Sequence, residues 1–166
     1  MPIESFASQN CSIARSLSVL GERWTLLVLR ELFLGRRRFD EMQAELDVAT
    51  NILSRRLATL VEEGIVERHR YNEHPERFEY RLTEKGLELQ PILLGFLRWG
   101  DRHTAGRRGA PLETLHTECD HTFHMVATCS HCGGEVKPRS VRTRPGPGAT
   151  REQRARAAAR EASRAA

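Results

Sequence analysis

Two groups of residues in this chain have types and spacing that could do chemistry. The first is "LHTECDHTFHMVATCSHCGGEV", residues 115–136, with three Cys and four His in 22 positions. Two thiolates separated by two residues can reach one ion, and glycines after them allow a tight turn. Cys129-Ser-His-Cys132-Gly-Gly therefore reads as a zinc knuckle. Cys119 supplies a third thiolate. His121 is the expected fourth ligand, with His116 as its alternative, and His124 and His131 rank behind both. Four protein ligands rich in sulfur describe a closed, structural Zn2+ site, one per chain, whose binding energy could fold a segment with little core. "TFHMVATC" between the halves reads as a strand, which predicts a small ribbon-like hairpin. Competing readings are an incomplete ligand set and a redox-active Cys129/Cys132 dithiol, although no thioredoxin-like βαβ pattern surrounds the pair.

The second group lies in "ATNILSRRLATLVEEGIVERHR", residues 49–70. At about 100° per residue, Leu53, Leu57, Leu60 and Val61 form one apolar stripe. Asn51, Arg55 and Thr59 project away from it, with Ser54 and Arg56 on the flanks. A helix that reads a DNA groove needs such an arrangement, one face anchored and the other offering polar groups to bases and phosphates. Arg55 has the fork for a guanine edge, Asn51 can pair with adenine, and Thr50 and Ser54 suit contacts nearer the helix start. Any amphipathic helix has a polar face, and Glu62 and Glu63 lie on this one too. They fall at the C-terminal end, away from where bases are read.

The neighbouring elements decide between those readings. Upstream, "SIARSLSVLG" after Asn10 predicts a short helix capped by that Asn and stopped by Gly21. "ERWTLLVLRELFLG" is apolar nearly all round, a central buried helix closed by Gly35. Arg36, Arg37 and Arg38 form a basic turn, followed by a short helix with Phe39, Met42 and Leu46 at helical spacing. Downstream, "GIVERHRYN" and "RFEYRLT" alternate as two antiparallel strands joined by the Pro75 loop. Thr83 can cap a long last helix, which Pro91 and Gly95 should kink or break. The order is a helix-turn-helix followed by a wing. Arg36, Arg37, Arg38, Arg56, Arg70 and Arg77 are expected at the DNA backbone, with Arg68 and His74 as further wing contacts.

The fold class is mainly α with a small β-hairpin (α+β). Residues 1–105 form a winged helix-turn-helix for DNA binding and dimerisation, 110–141 a Cys/His zinc-ribbon-like module, and 142–166 a basic Ala/Arg-rich tail. That tail has no apolar stripe, which favours disorder over a solitary helix. The net charge of +4 is mostly the tail's. Residues 142–166 hold seven Arg and two Glu, a net of +5, leaving 19 basic and 20 acidic groups and a net of −1 in residues 1–141. The overall pI is therefore no argument for nucleic acid, and the local clusters must carry it. No leader pattern opens the chain and no run approaches the roughly 18 apolar residues of a membrane span, so a reducing, cytoplasmic setting is expected. No paired nucleophile and base, open metal site or phosphate loop is present, which argues against an enzyme.

"CSIARSLSVLGERWTLLVLRELFLGRRRF", "LSRRLATLVEEGIVER", "YNEHPERFEYRLTEKG" and Trp99-Gly100 resemble the HxlR-type family of bacterial winged-helix transcriptional regulators, over residues 11–100. The resemblance implies a homodimer packed through the first and last helices of the domain. It also implies two recognition helices in successive major grooves at inverted half-sites. Ser12 stands where the family most often has Pro. Cys11, at the start of the first helix, lies where backbone N–H groups and the helix dipole favour a thiolate. The resemblance implies a sensor of oxidants or electrophiles there; the alternative is a small half-buried residue with no signalling role, and Arg15 is the one charged neighbour a turn away. A winged helix used for protein–protein contact through the zinc hairpin is the rival function.

Overall fold

Helix α1 (Ser12–Leu20) opens the architecture, in a computed structural model that describes residue 6 and residues 8–165. Its N-cap is Cys11 and not Asn10. Helix α2 (Thr25–Phe33) follows, and Val28, Leu29 and Leu32 sink into the core. Gly35, at φ 87, turns the chain in a conformation that favours glycine. The basic turn then leads into α3 (Phe39–Leu46), whose first turn is held by the Glu41 carboxylate accepting from the Arg37 and Arg38 N–H groups at 3.2 and 3.1 Å.

A three-residue turn through left-handed Asp47 (φ 46) joins α3 to α4 (Thr50–Glu62). Val48 in that turn is buried, as are Leu53, Leu57 and Leu60 of α4. These side chains pack with Met42 and Leu46 of α3 and with the α2 residues into one core. Gly64 (φ 65) ends the helix, and the Ile65 N–H reaches back to the Leu60 carbonyl at 2.9 Å. Strands β1 (Val66–Glu73) and β2 (Glu76–Leu82) form the wing, pairing Val66 with Leu82, Arg68 with Tyr80 and Arg70 with Phe78. The Tyr80 N–H donates to the Arg37 carbonyl at 2.8 Å, so the wing is stitched to the basic turn.

The long last helix breaks at its Pro. Thr83 caps α5 (Glu84–Leu87) by accepting from the Gly86 N–H, and α6 (Gln90–His103) begins anew with Pro91 in its first turn. Gly95 lies within α6 without interrupting it. A Cβ on Gly86 would stand 2.2 Å from the Ile65 carbonyl oxygen, so no other residue fits at this crossing.

Beyond a 3-10 turn (Gly106–Arg108), β3 (Leu115–His116) and β4 (His121–Thr122) make a short hairpin. The strand expected over 122–129 is not formed: only its first residue belongs to β4, and Thr128 makes an isolated bridge to Glu135. The tail is helical rather than disordered, as α7 (Arg151–Ala165). It is not solitary either. Asn10 donates to the Gln153 side chain at 2.7 Å and to the Gly148 carbonyl at 2.8 Å, and Gln153 donates back to the Asn10 carbonyl at 2.8 Å. The residue expected to cap α1 thus anchors the tail. Among the described residues no helix is long and apolar enough to cross a membrane.

Candidate nucleic-acid interface

Helix α4 is held by its leucines and by α3, and this leaves a defined polar face. Thr50 is pinned at the helix start, its hydroxyl accepting from Gln43 of α3 at 2.8 Å. Asn51 turns its side-chain oxygen to the Ile52 N–H at 2.9 Å, which leaves its amide N–H groups for another acceptor. Ser54 and Arg55 are exposed, and among the described residues neither side chain has a hydrogen-bond or ion-pair partner. The Arg55 guanidinium, the longest donor on the face, is therefore uncommitted. Glu62 and Glu63 are exposed at the opposite end of the helix.

Arg56 does not lie on that face. It is 7% exposed and turned toward Glu22, 3.7 Å away. A step of about 100° from Arg55 carries it to the core side, where its stem packs and its head finds a carboxylate.

The Arg run divides in the same way. Arg36 is drawn into the protein by two acids, Glu31 and Glu45, each at 2.9 Å. Glu31 is the residue the apolar reading of α2 passed over: it is fully buried and also meets Arg30 at 2.5 Å. A buried carboxylate requires cations beside it, and the Arg run supplies one. Arg38 lies over the Tyr71 ring at 4.7 Å and 3.5 Å from Glu79, bracing the wing. Arg37 is exposed, and among the described residues its side chain is unpaired.

On the wing, Arg70 lies 3.5 and 3.6 Å from Glu73 and Glu76, weak exposed pairs that a phosphate can displace. Arg68 covers the Phe78 ring at 3.7 Å. Arg77 and His74 are exposed near the wing tip, and among the described residues the Arg77 side chain is free. The structure therefore brings Arg37 of the basic turn, Asn51, Ser54 and Arg55 of α4, and Arg70 and Arg77 of the two wing strands to exposed positions, and turns Arg36 and Arg56 to structural work.

Cys11 is exposed at the N-cap of α1, without a side-chain cap bond. The Arg15 guanidinium reaches the side chains on either side of Cys11, Asn10 at 3.5 Å and Ser12 at 3.3 Å.

The Cys/His residues are gathered in pairs. His116 Nδ1 is 3.3 Å from the Cys119 sulfur, whereas His121 turns Nδ1 to the Cys119 carbonyl at 2.5 Å. Backbone N–H groups of Cys132 and His131, with the Cys132 thiol, hold the Cys129 thiol below the ordinary range. Among the described residues no three such side chains come together as a metal-binding group.

A helix-turn-helix with its polar helix face bare, followed by a two-stranded wing, defines the winged helix-turn-helix class of transcriptional regulators. The chain belongs to the HxlR-like helix-turn-helix family, whose profile matches residues 19–107. An uncharacterised HTH-type transcriptional regulator of Mycobacterium bovis is 42% identical over 137 residues, covering 82% of this chain and 87% of that protein. The crystal structure of PA1607, a candidate transcription factor, matches with a TM-score of 0.76 at 29% identity, over 86% of this chain and 99% of that one. Both alignments must therefore run past residue 107 into the Cys/His segment. The redox regulator HypR in its oxidized form matches with a TM-score of 0.53 at 32% identity, over 56% of this chain and 97% of that one. This chain is accordingly a transcriptional regulator and not an enzyme.

Proposed function

We propose that this regulator binds a specific double-stranded DNA sequence as a homodimer, with α4 in the major groove. The observation that carries the reading is the contrast along α4: its leucines are buried, while among the described residues Arg55, Ser54 and the Asn51 amide N–H groups have no protein partner. Asn51 and Arg55 read bases; Arg37, Arg70 and Arg77 hold phosphates, and Thr50 sets the helix start against α3. Dimerisation is supported by two bare apolar stripes. Ile13 and Leu17 of α1 are 72% and 43% exposed, and Ile92, Phe96 and Trp99 of α6 are 47%, 59% and 61% exposed. Residues at these spacings share one side of a helix, and such stripes mark association surfaces. A second copy supplies the partner for both and sets two recognition helices at inverted half-sites.

An electrophile or oxidant response at Cys11 is supported by its exposure at a helix start and by the likeness to a redox regulator. Selection of bound duplexes from a random pool, with and without an electrophile, tests the whole reading. An inverted repeat with a defined half-site is expected. Failure to enrich any sequence, together with salt-independent failure to bind any duplex, overturns it in favour of a protein-contact role.

A further inference from the structure

The segment after residue 107 has no buried hydrophobic side chain among its described residues, and yet it is built as two ordered hairpins. The first is closed by β3 and β4 and by the Phe123 N–H donating to the Thr114 carbonyl at 2.9 Å. The second is closed by the Thr128–Glu135 bridge and by the Val136 N–H donating to the Ala127 carbonyl at 2.8 Å. Each tip carries two metal-ligating side chains with two residues between them, His116 and Cys119 on one, Cys129 and Cys132 on the other.

The tips have the same backbone design. In both, the residue after the second donor is left-handed, Asp120 at φ 54 and Gly133 at φ 70. In both, that residue's N–H donates to the carbonyl of the first donor, at 2.8 Å each time. In the first tip the donors already converge, His116 Nδ1 standing 3.3 Å from the Cys119 sulfur.

We propose that the two hairpin tips close on a single Zn2+ held by His116, Cys119, Cys129 and Cys132. The assignment prefers His116 to His121 because His116 occupies the same place in its turn as Cys129 does in the other. His121 lies outside the turn, with Nδ1 on a backbone carbonyl. The four donors stand as two pairs, so closure of the tips belongs to binding itself. No buried core resists that movement, and in small modules of this kind metal-binding energy is folding energy. Binding forms three Zn–S bonds and one Zn–N bond and passes the three thiol protons to solvent. The four protein ligands complete a tetrahedron and leave no open position, which makes the site structural.

The test uses the full chain, purified under reducing conditions without chelator. Elemental analysis should find one zinc per chain, and Co2+ in its place should give the absorption of a tetrahedral, sulfur-rich site. Cys129→Ser and Cys132→Ser should abolish binding. His116→Ala and Cys119→Ser should weaken Zn2+ in chelator competition by more than the roughly 10- to 100-fold typical of outer-shell changes. His121→Ala should bind as the parent does. Thermal unfolding of each variant reports whether the winged helix stays folded. Three results overturn the proposal: zinc well below stoichiometric, metal retained without His116 and Cys119, or a Cys129–Cys132 disulfide in reduced preparations. Loss in His121→Ala with retention in His116→Ala overturns the ligand assignment.

Discussion

Arg55 and Arg56 are neighbours in the chain, and the helical step of about 100° between them sends one to solvent and the other to the core. Their replacements should therefore fail differently. Arg55→Ala should cost about 1–3 kcal/mol on the selected duplex and relax its preference at one position, leaving the unfolding transition in place. Arg56→Ala should lower stability by about 1 kcal/mol in urea titration, through lost packing beside Glu22, with an unchanged salt slope for DNA. Arg36 belongs with Arg56. Its removal leaves the buried Glu31 carboxylate underpaired, and Arg36→Ala should lose about 1–3 kcal/mol of stability in the same titration. Arg77→Ala should weaken every duplex alike and lower the salt slope by about one unit. Cys11→Ser should leave basal DNA binding intact and abolish any electrophile effect measured by gel shift; a response that survives the mutation removes Cys11 as the sensor.

At the scale of elements, the tail differs most from its compositional reading. An Ala/Arg helix without an apolar stripe has little reason to persist in water, because isolated helices of about 12–15 residues are marginal. Here α7 has an anchor: Gln153 exchanges hydrogen bonds with Asn10, immediately before Cys11. Asn10→Ala should therefore raise hydrogen exchange across residues 151–163 toward that of a free peptide, while α2 and α4 keep their protection. Unaltered exchange would mean that the anchor does not hold the helix. The recognition element behaves oppositely, since its order comes from the core. Leu57→Ala should cost about 2–5 kcal/mol of global stability, a cavity effect read by denaturant unfolding.

For the whole molecule, the bare stripes on α1 and α6 predict the quaternary state. Phe96→Asp with Trp99→Asp should yield a monomer in analytical ultracentrifugation and reduce affinity for a two-half-site duplex far more than for a single half-site. The sequence by itself determined the order of elements, because periodicity and glycine stops are local. Leu53, Leu57 and Leu60 mark a buried stripe wherever the helix is placed, and Gly35 and Gly64 mark chain turns that take positive φ. The polar face with Asn51 and Arg55 was legible for the same reason, and so was the pairing of Cys129 and Cys132 within a single turn. Tertiary structure decided which cations are free. Arg36, Arg38 and Arg56 look like Arg37 and Arg55 in the chain, but Glu31, Glu79, Tyr71 and Glu22 claim them from other turns and elements. It also decided that α7 docks on Asn10, and that His116 rather than His121 faces a thiol. Such choices rest on contacts between residues as much as 143 positions apart, as for Asn10 and Gln153, and no local pattern encodes them.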